Sequence, residues 1–225
     1  MSRVVPSTQP PALSAWTSPR AWFTLTLVTV CGLILDLWSK SLAFAKVAGM
    51  PVSIDRADVL AVGPGRLHTL IPLHPPVVVA PGWLDLTLVL NPGAVFGMGA
   101  GRRWVFVVFT FVAIGFCLVL FRSWTTAKMR VAHAAIGLVL AGGLGNLYDR
   151  LMFACVRDFL HPLPGRMLPW GLKWPGGNPE VWPYVSNVAD ALLIVGIGVL
   201  ALITLKHDGM LAARKEAASA ESAKK

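Results

Sequence analysis

The chain has 225 residues, of which 55% are hydrophobic and only 14% are charged, and its formal net charge is +9. This composition excludes an ordinary soluble domain, and the length suits a single domain. The cations lie at the ends of apolar segments and in the C-terminal tail, so anionic lipid headgroups, not nucleic acid, are their expected partner. The three cysteines form no CxxC pair and support neither a disulfide framework nor a zinc site.

The first 20 residues contain four prolines and no hydrophobic periodicity, which predicts a disordered cytoplasmic leader over residues 1–20. An apolar segment follows at residues 21–45. Arg20 before it and the Ala-Phe-Ala sequence at residues 43–45 would also fit a cleaved signal peptide. The charged residues Asp36 and Lys40 argue against cleavage, because a removed peptide has no use for them.

Four apolar segments are long enough to cross a bilayer as helices, which takes about 20 residues each. They cover residues 21–45, 104–121, 131–147 and 188–205. The connection between the second and third segments is short and basic, so the positive-inside rule places it in the cytoplasm together with both termini. Arg102 and Arg103, at the outer end of the second segment, argue against this orientation. We expect one transmembrane domain over residues 21–205 and a cytoplasmic tail over residues 206–225.

Two longer segments connect the predicted helices on the outer side. The first, at residues 46–103, contains an alternating pattern of leucines that predicts a strand with one apolar face. These leucines are Leu84, Leu86, Leu88 and Leu90. The second segment, at residues 159–184, contains three tryptophans and is expected to lie along the membrane interface. The predicted fold class is an all-α membrane protein with four transmembrane helices, a small extracytoplasmic β element and an interfacial loop.

Several polar residues lie within or beside these apolar segments, where charged side chains are costly and tend to mark function. Asp36 and Lys40 are four residues apart on one helix, so they share a face and can pair. A purely structural ion pair is the alternative interpretation. A spacing of three residues occurs twice, in Asn146 with Asp149 and in Asn187 with Asp190.

The carboxylates of Asp158 and Asp190 are expected to meet at the outer ends of neighbouring helices. Two close carboxylates do not both ionise readily, so one stays protonated and the pair can act as acid and base on one water molecule. This is the chemistry of an aspartyl peptidase, which requires neither a metal nor another cofactor. Carboxylate pairs also serve cation transport, so a small proton- or cation-coupled transporter is the alternative. The inverted repeats and interrupted helices of such transporters are not visible in the sequence.

Five motifs in order closely resemble the motif series of lipoprotein signal peptidase, also called signal peptidase II. They are Asp36 with Lys40, NPGAVFG at residues 91–97, GGLGNLYDR at 142–150, VRDF at 156–159 and NVAD at 187–190. Each motif is weak alone, but five in this order on a four-helix frame are specific. The resemblance covers residues 21–205.

The resemblance implies an intramembrane aspartyl endopeptidase that removes signal peptides from diacylglyceryl-modified prolipoproteins by cleaving before the lipidated cysteine. Its catalytic dyad would be Asp158 and Asp190, with Asp149 and Asp190 as the alternative. The family works in the bacterial cytoplasmic (inner) membrane, with its active site near the outer face, and is inhibited by the cyclic peptide globomycin. A homologue that binds lipoproteins without cleaving them is a further alternative. Positions that match residues thought to shape or support the site are Asp36, Lys40, Asn91, Gly93, Gly142, Gly145, Asn146, Asp149, Arg150 and Asn187.

The sequence departs from the family pattern close to Asp158. Arg157 replaces a residue that is usually apolar, and Ala154 stands where glycine is common. A guanidinium that points toward Asp158 would favour its ionised form. If neighbouring side chains alternate in an extended chain, Arg157 would point away, toward lipid phosphates. The outer segments are also longer than usual in the family, so substrate contacts there do not carry over.

Overall fold

The computed structural model describes residues 13–93, 103–174 and 176–222, with side chains as far as residue 206. These residues form five α-helices: α1 (Pro19–Lys46), α2 (Arg56–Val62), α3 (Arg103–Ser123), α4 (Arg130–Met152) and α5 (Val188–Ser222). They also form three strands: β1 (Val77–Ala80), β2 (Leu84–Asn91) and β3 (Val156–Pro162). Helices α1, α3 and α4 and the Val188–Lys206 part of α5 are long and apolar enough to cross a membrane. The predicted fold class is confirmed.

Helix α1 begins where the sequence supplies a cap. The Oγ of Ser18 accepts a hydrogen bond from the N–H of Ala21 at 3.4 Å. Pro19 occupies the first turn, where its missing N–H is not needed for the helix ladder. The helix therefore starts slightly before the predicted apolar segment and includes all of it.

Helix α4 is the centre of the bundle and packs against α1, α3 and α5. Its glycines allow close approach of the neighbouring backbones. A Cβ atom at Gly137 would lie 2.9 Å from the carbonyl oxygen of Leu25 in α1, and one at Gly142 would collide with the carbonyl of Ala189 in α5. Close backbone packing is a main source of helix association in lipid. These glycines therefore fix how near α1 and α5 come to α4.

The three strands form one antiparallel sheet in the order β1-β2-β3. Strand β2 corresponds to the predicted leucine pattern, and Leu88 and Leu90 are buried as expected. Asp85 is buried as well, although the alternation assigned it to the polar face. Strand β3 was not predicted, because it combines Arg, Asp and His with apolar residues, and its first four residues are all buried.

An apolar cluster joins the sheet and α2 to the C-terminal end of α1. Its buried members include Phe44 of α1, Val59 of α2, Leu88 of β2 and Phe159 of β3. This cluster holds β3, and therefore Asp158, in a fixed position over the end of the bundle.

Residues 13–18, which belong to the predicted leader, pack on the connection between α3 and α4. Ala15 is fully buried, and its N–H donates to the carbonyl of Thr125 at 3.1 Å. The ring of Trp16 contacts that of Trp22 in α1 with centroids 5.0 Å apart. Defined contacts thus begin before residue 20, because these residues find apolar partners that composition alone does not reveal.

Candidate active site

The carboxyl groups of the predicted dyad come from different elements near one end of α4. Asp158 lies on β3 and is 2% exposed, and Asp190 lies in the first turn of α5. Backbone hydrogen bonds of 2.8 Å in both directions between Leu160 and Ser186 join β3 to the chain that leads into α5. These bonds place Asp158 beside the start of α5.

Asn187 connects the two carboxyl groups. Its Nδ2 donates to Oδ1 of Asp158 at 2.5 Å, and its backbone N–H donates to Oδ2 of Asp190 at 3.1 Å. In return, its Oδ1 accepts from the backbone N–H of Asp190 at 3.1 Å. Asn187 immediately precedes α5 and Asp190 is its third residue, so the pair forms a reciprocal capping box that fixes the helix start. The three-residue spacing seen in the sequence therefore orients Asp190.

Two further asparagines donate to the same carboxyl groups. Nδ2 of Asn91 lies 3.1 Å from Oδ2 of Asp158, and Nδ2 of Asn146 lies 2.8 Å from Oδ1 of Asp190. Each carboxyl oxygen of the pair thus accepts at least one N–H donor. Both groups are held in one orientation before any substrate arrives.

Burial raises the pKa of Asp158 to about 8, and the negative charge of Asp190 acts in the same direction. Hydrogen bonds from Asn187 and Asn91 and the charge of Lys40 oppose this increase in the pKa without cancelling it. A carboxyl group with this pKa is protonated at neutral pH. The site therefore presents an acid beside a second carboxyl group.

A buried ion network lies next to the pair. Lys40 is fully buried, and its Nζ lies 2.9 Å from Oδ2 of Asp36 and 3.3 Å from Oδ2 of Asp149. The same Nζ donates to Oδ1 of Asn146 at 3.1 Å. Oδ1 of Asp36 accepts the backbone N–H of Ala189 at 2.8 Å. The expected pairing of Asp36 with Lys40 is present, and it ties α1 to α4 and α5.

Arg157 pairs with Asp149. Its Nη2 and Nε lie 2.8 Å and 3.2 Å from Oδ1 of Asp149, and its backbone N–H donates to Oδ2 at 3.0 Å. The guanidinium also lies 4.2 Å from the ring centroid of Phe153. Neighbouring side chains on a strand point to opposite faces, so Arg157 and Asp158 diverge. The expected alternation is therefore present, but with a side chain only 9% exposed Arg157 does not reach toward lipid phosphates, so that expected destination was wrong.

These ion pairs distinguish the two candidate dyads. Asp149 has two cations within 4 Å, the side chains of Lys40 and Arg157. Among the described residues, neither Asp158 nor Asp190 forms an ion pair. A carboxylate held between two cations is a poor donor of a proton. The geometry therefore favours Asp158 with Asp190 over Asp149 with Asp190.

The remaining candidates surround the same site. Nη1 of Arg150 donates to the carbonyl of Asn146 at 3.3 Å, and its guanidinium lies 5.2 Å from the ring centroid of Phe106. The N–H of Gly93 donates to Oδ1 of Asn91 at 2.9 Å. Gly93 has φ +94°, and a Cβ there would lie 2.8 Å from Phe106, so glycine is required by both conformation and space. The rest of the NPGAVFG motif, residues 94–97, lies outside the described residues.

Two backbone positions beside the site restrict side-chain size. A Cβ at Gly145 would collide with the carboxylate of Asp36, so this glycine makes room for the pair of Asp36 with Lys40. Ala154 has φ +62°, in the left-handed region that favours glycine. The left-handed conformation costs a residue with a side chain about 1–2 kcal/mol, which is a physical reason for the glycine expected at this position.

The sequence did not reveal two contributions to the site. One is the pairing of Arg157 with Asp149. A buried carboxylate needs a countercharge, so an additional arginine shortly after Asp149 was the available signal. The other is the second bond of Asn187, whose Nδ2 also donates to Oδ1 of Asn146 at 3.1 Å. Sequence spacing does not predict this hydrogen bond, because Asn187 precedes α5 and Asn146 lies on α4.

Comparisons with known proteins show the family and the fold of this chain. A family model described as signal peptidase (SPase) II, Peptidase_A8, matches residues 28–206. The lipoprotein signal peptidase of Anaeromyxobacter sp. (strain Fw109-5) is 31% identical over 215 residues, which cover 89% of this chain and 92% of that protein. The lipoprotein signal peptidase of Syntrophotalea carbinolica is 31% identical over 167 residues, which cover 73% of this chain and 91% of that protein.

A solved structure described as a bacterial membrane enzyme at 1.9 Å resolution shares the fold. Its TM-score with this chain is 0.59 at 21% identity, over 82% of this chain and 94% of the other. A second structure of a bacterial membrane enzyme, at 2.3 Å resolution, has a TM-score of 0.57 at 23% identity, over 82% and 88% of the two chains. At these identities the likeness concerns the fold alone.

Proposed function

The chain belongs to the signal peptidase II family, and from this membership we propose that it is an intramembrane aspartyl endopeptidase acting on diacylglyceryl-modified prolipoproteins. Family membership makes it a peptidase, and its four apolar helices make it a multi-pass membrane protein. The proposal adds the aspartic mechanism, the dyad of Asp158 and Asp190, and cleavage before the lipidated cysteine.

The proposal rests mainly on one observation, the hydrogen bonding of two carboxyl groups to the same asparagine. Asn187 bonds both Asp158 and Asp190, while the neighbouring carboxylates of Asp36 and Asp149 are paired with cations. Among these four acids, the two bridged by Asn187 are therefore the ones available for proton transfer.

The raised pKa of Asp158 supports a role as the acid for this residue and as the base for Asp190. Asp190, as the carboxylate, takes a proton from water while the water oxygen attacks the scissile carbonyl carbon. Protonated Asp158 gives its proton to the carbonyl oxygen, which produces a tetrahedral gem-diol. When the C–N bond breaks, Asp190 passes its proton to the leaving amine. The gem-diol hydroxyl returns a proton to Asp158, so both carboxyl groups regain their starting states.

A cavity of about 280 Å³ next to the site offers room for part of the substrate. It is lined largely by apolar side chains, among them Leu60, Leu67, Pro92 and Trp104. An apolar lining at the end of a transmembrane bundle suits a lipid chain or the apolar part of a signal peptide. The bilayer itself would then present the substrate at the depth of the dyad.

The proposed location is the bacterial cytoplasmic membrane, with both termini in the cytoplasm and the dyad near the outer face. The short connection between α3 and α4 carries Lys128 and is flanked by Arg122 and Arg130, which supports a cytoplasmic position for that end. Asp158 and Asp190 lie at the opposite end of α4.

The proposal is tested by incubating the purified full-length protein with one prolipoprotein precursor in diacylglyceryl-modified and unmodified forms. We expect a gel shift for the modified precursor, a product that begins with the lipidated cysteine by mass spectrometry, and inhibition by globomycin. The unmodified precursor should be cut poorly, because the lipid chains supply both affinity and depth. Equal rates on the two precursors would contradict the proposed specificity, and no cleavage of either would contradict the activity.

A further inference from the structure

A second cavity, which is lined mainly by polar residues, lies at the end of the bundle opposite Asp158 and Asp190. Its volume is about 420 Å³, and it lies between the first residues of α1 and α4. Arg20, Lys128, Arg130 and His133 line it. His133 precedes Asn146 by thirteen residues on α4, which is about 20 Å along the helix axis. The cavity is therefore separate from the candidate peptidase site.

The lining of this cavity is positive. None of the described residues that line it is acidic, and Arg20, Lys128 and Arg130 form no ion pair within the described part of the chain. Arg130 is also the first residue of α4, and Met129 before it makes no side-chain capping hydrogen bond. The positive end of the α4 helix dipole adds to the charge of the three side chains, although the backbone N–H of Arg130 itself donates to the carbonyl of Lys128 at 2.9 Å.

His133 adds a hydrogen-bonding ring to the lining. It is fully buried, and its Nε2 lies 3.1 Å from the carbonyl oxygen of Thr126. In the neutral ring this contact assigns the proton to Nε2 and leaves Nδ1 as an acceptor. Nδ1 is buried and has no hydrogen-bond partner among the described residues. A buried acceptor without a partner is available to a hydrogen-bond donor that enters the cavity.

We propose that this cavity binds a phosphate ester that also carries a hydroxyl group, as does the glycerophosphate headgroup of an anionic phospholipid. The phosphate contacts Arg20, Lys128 and Arg130, and the hydroxyl donates to Nδ1 of His133. The cavity lies where the apolar spans of α1 and α4 begin, which is the depth of lipid headgroups. A soluble glycerophosphate has the same chemistry, so the experiment separates the two sources.

The test uses native mass spectrometry of the full-length protein in neutral detergent, titrated with phosphatidylglycerol or with phosphatidylcholine. We expect one phosphatidylglycerol to be retained in preference to phosphatidylcholine. Arg130→Gln should weaken its binding about tenfold, the loss expected for one charge-assisted contact. Lys206→Gln removes an exposed cation from the same end of the bundle, does not line the cavity, and should leave the binding unchanged.

A second readout reports on His133 directly. Nitrogen-15 NMR of histidine-labelled protein should show a shift of the His133 Nδ1 signal when phosphatidylglycerol binds, and no such shift in Arg130→Gln at the same lipid concentration. Glycerol 3-phosphate that binds as tightly as the lipid and moves the same signal would support the site and identify a soluble source. The proposal is overturned if neither compound moves the signal, or if Lys206→Gln weakens lipid binding as much as Arg130→Gln.

Discussion

Replacing Arg157 with valine tests the buried ion network beside the dyad. The change removes two side-chain hydrogen bonds to Asp149, of 2.8 Å and 3.2 Å, and the contact with the ring of Phe153. Breaking a buried ion pair from one side costs about 3–5 kcal/mol. Lys40 remains 3.3 Å from the same carboxylate and compensates in part, so we expect a loss of about 3 kcal/mol in the free energy of unfolding.

The assay is unfolding in mixed micelles, followed by tryptophan fluorescence. Arg166→Leu is the matched control, because Arg166 also stacks on an aromatic ring, that of Trp83, but is exposed. Its contact with Trp83 and its hydrogen bond to the carbonyl of Gly82 are both exposed, so the change should cost only about 1 kcal/mol. Since Arg157 points away from Asp158, the folded variant should keep the pH–rate profile of the parent protein. A loss in Arg157→Val no larger than that of the control, or a displaced acidic limb, would refute this reasoning.

The remaining predictions concern the acid and the helix contact beside it. Because the pKa of Asp158 is raised to about 8, the group is protonated below that pH and loses its proton above it. The cleavage rate should therefore fall about tenfold per pH unit above about pH 8, and a flat profile up to about pH 10 would contradict the role of Asp158 as the acid. Gly145→Ala should lose about 1–3 kcal/mol of stability, because its methyl group collides with the carboxylate of Asp36. Gly143→Ala, whose Cβ would lie 3.7 Å from the methyl carbon of Thr110, should change stability by less than about 0.5 kcal/mol, and equal losses in thermal unfolding would show that the collision is not the cause.

The parts of the fold that follow from local pattern were predictable. Apolar length gave the four spanning helices, and the alternation of leucines gave strand β2. Strand β3 was not predictable in the same way, because it is buried by the cluster around Phe44 on one side and by the ion network on the other, and so shows no alternation. The position of residues 13–18 also depended on partners distant in sequence, as the bond from Ala15 to Thr125 illustrates.

In the candidate site, too, contacts within one helix were predictable and contacts between elements were not. Spacing predicted that Asp36 would pair with Lys40 on one face of α1, and the pair is present. The pairing of Arg157 with Asp149 was missed, because it depends on how β3 packs against α4, which no local pattern shows. The assignment of Asp158 and Asp190 as the dyad remains a prediction, supported by the bridging role of Asn187.

The most direct measurement compares initial cleavage rates of a lipidated precursor by Asp158→Asn, Asp190→Asn and the double variant, each checked for unchanged thermal unfolding. Each single variant should lose activity by about 10⁴-fold or more, and the double variant should be no worse, because the two carboxyl groups act as a unit. Asp85→Asn, which alters a buried carboxyl group on the neighbouring strand β2, should retain the parent rate. Substantial turnover by Asp158→Asn would contradict the assignment and move the dyad to Asp149 with Asp190.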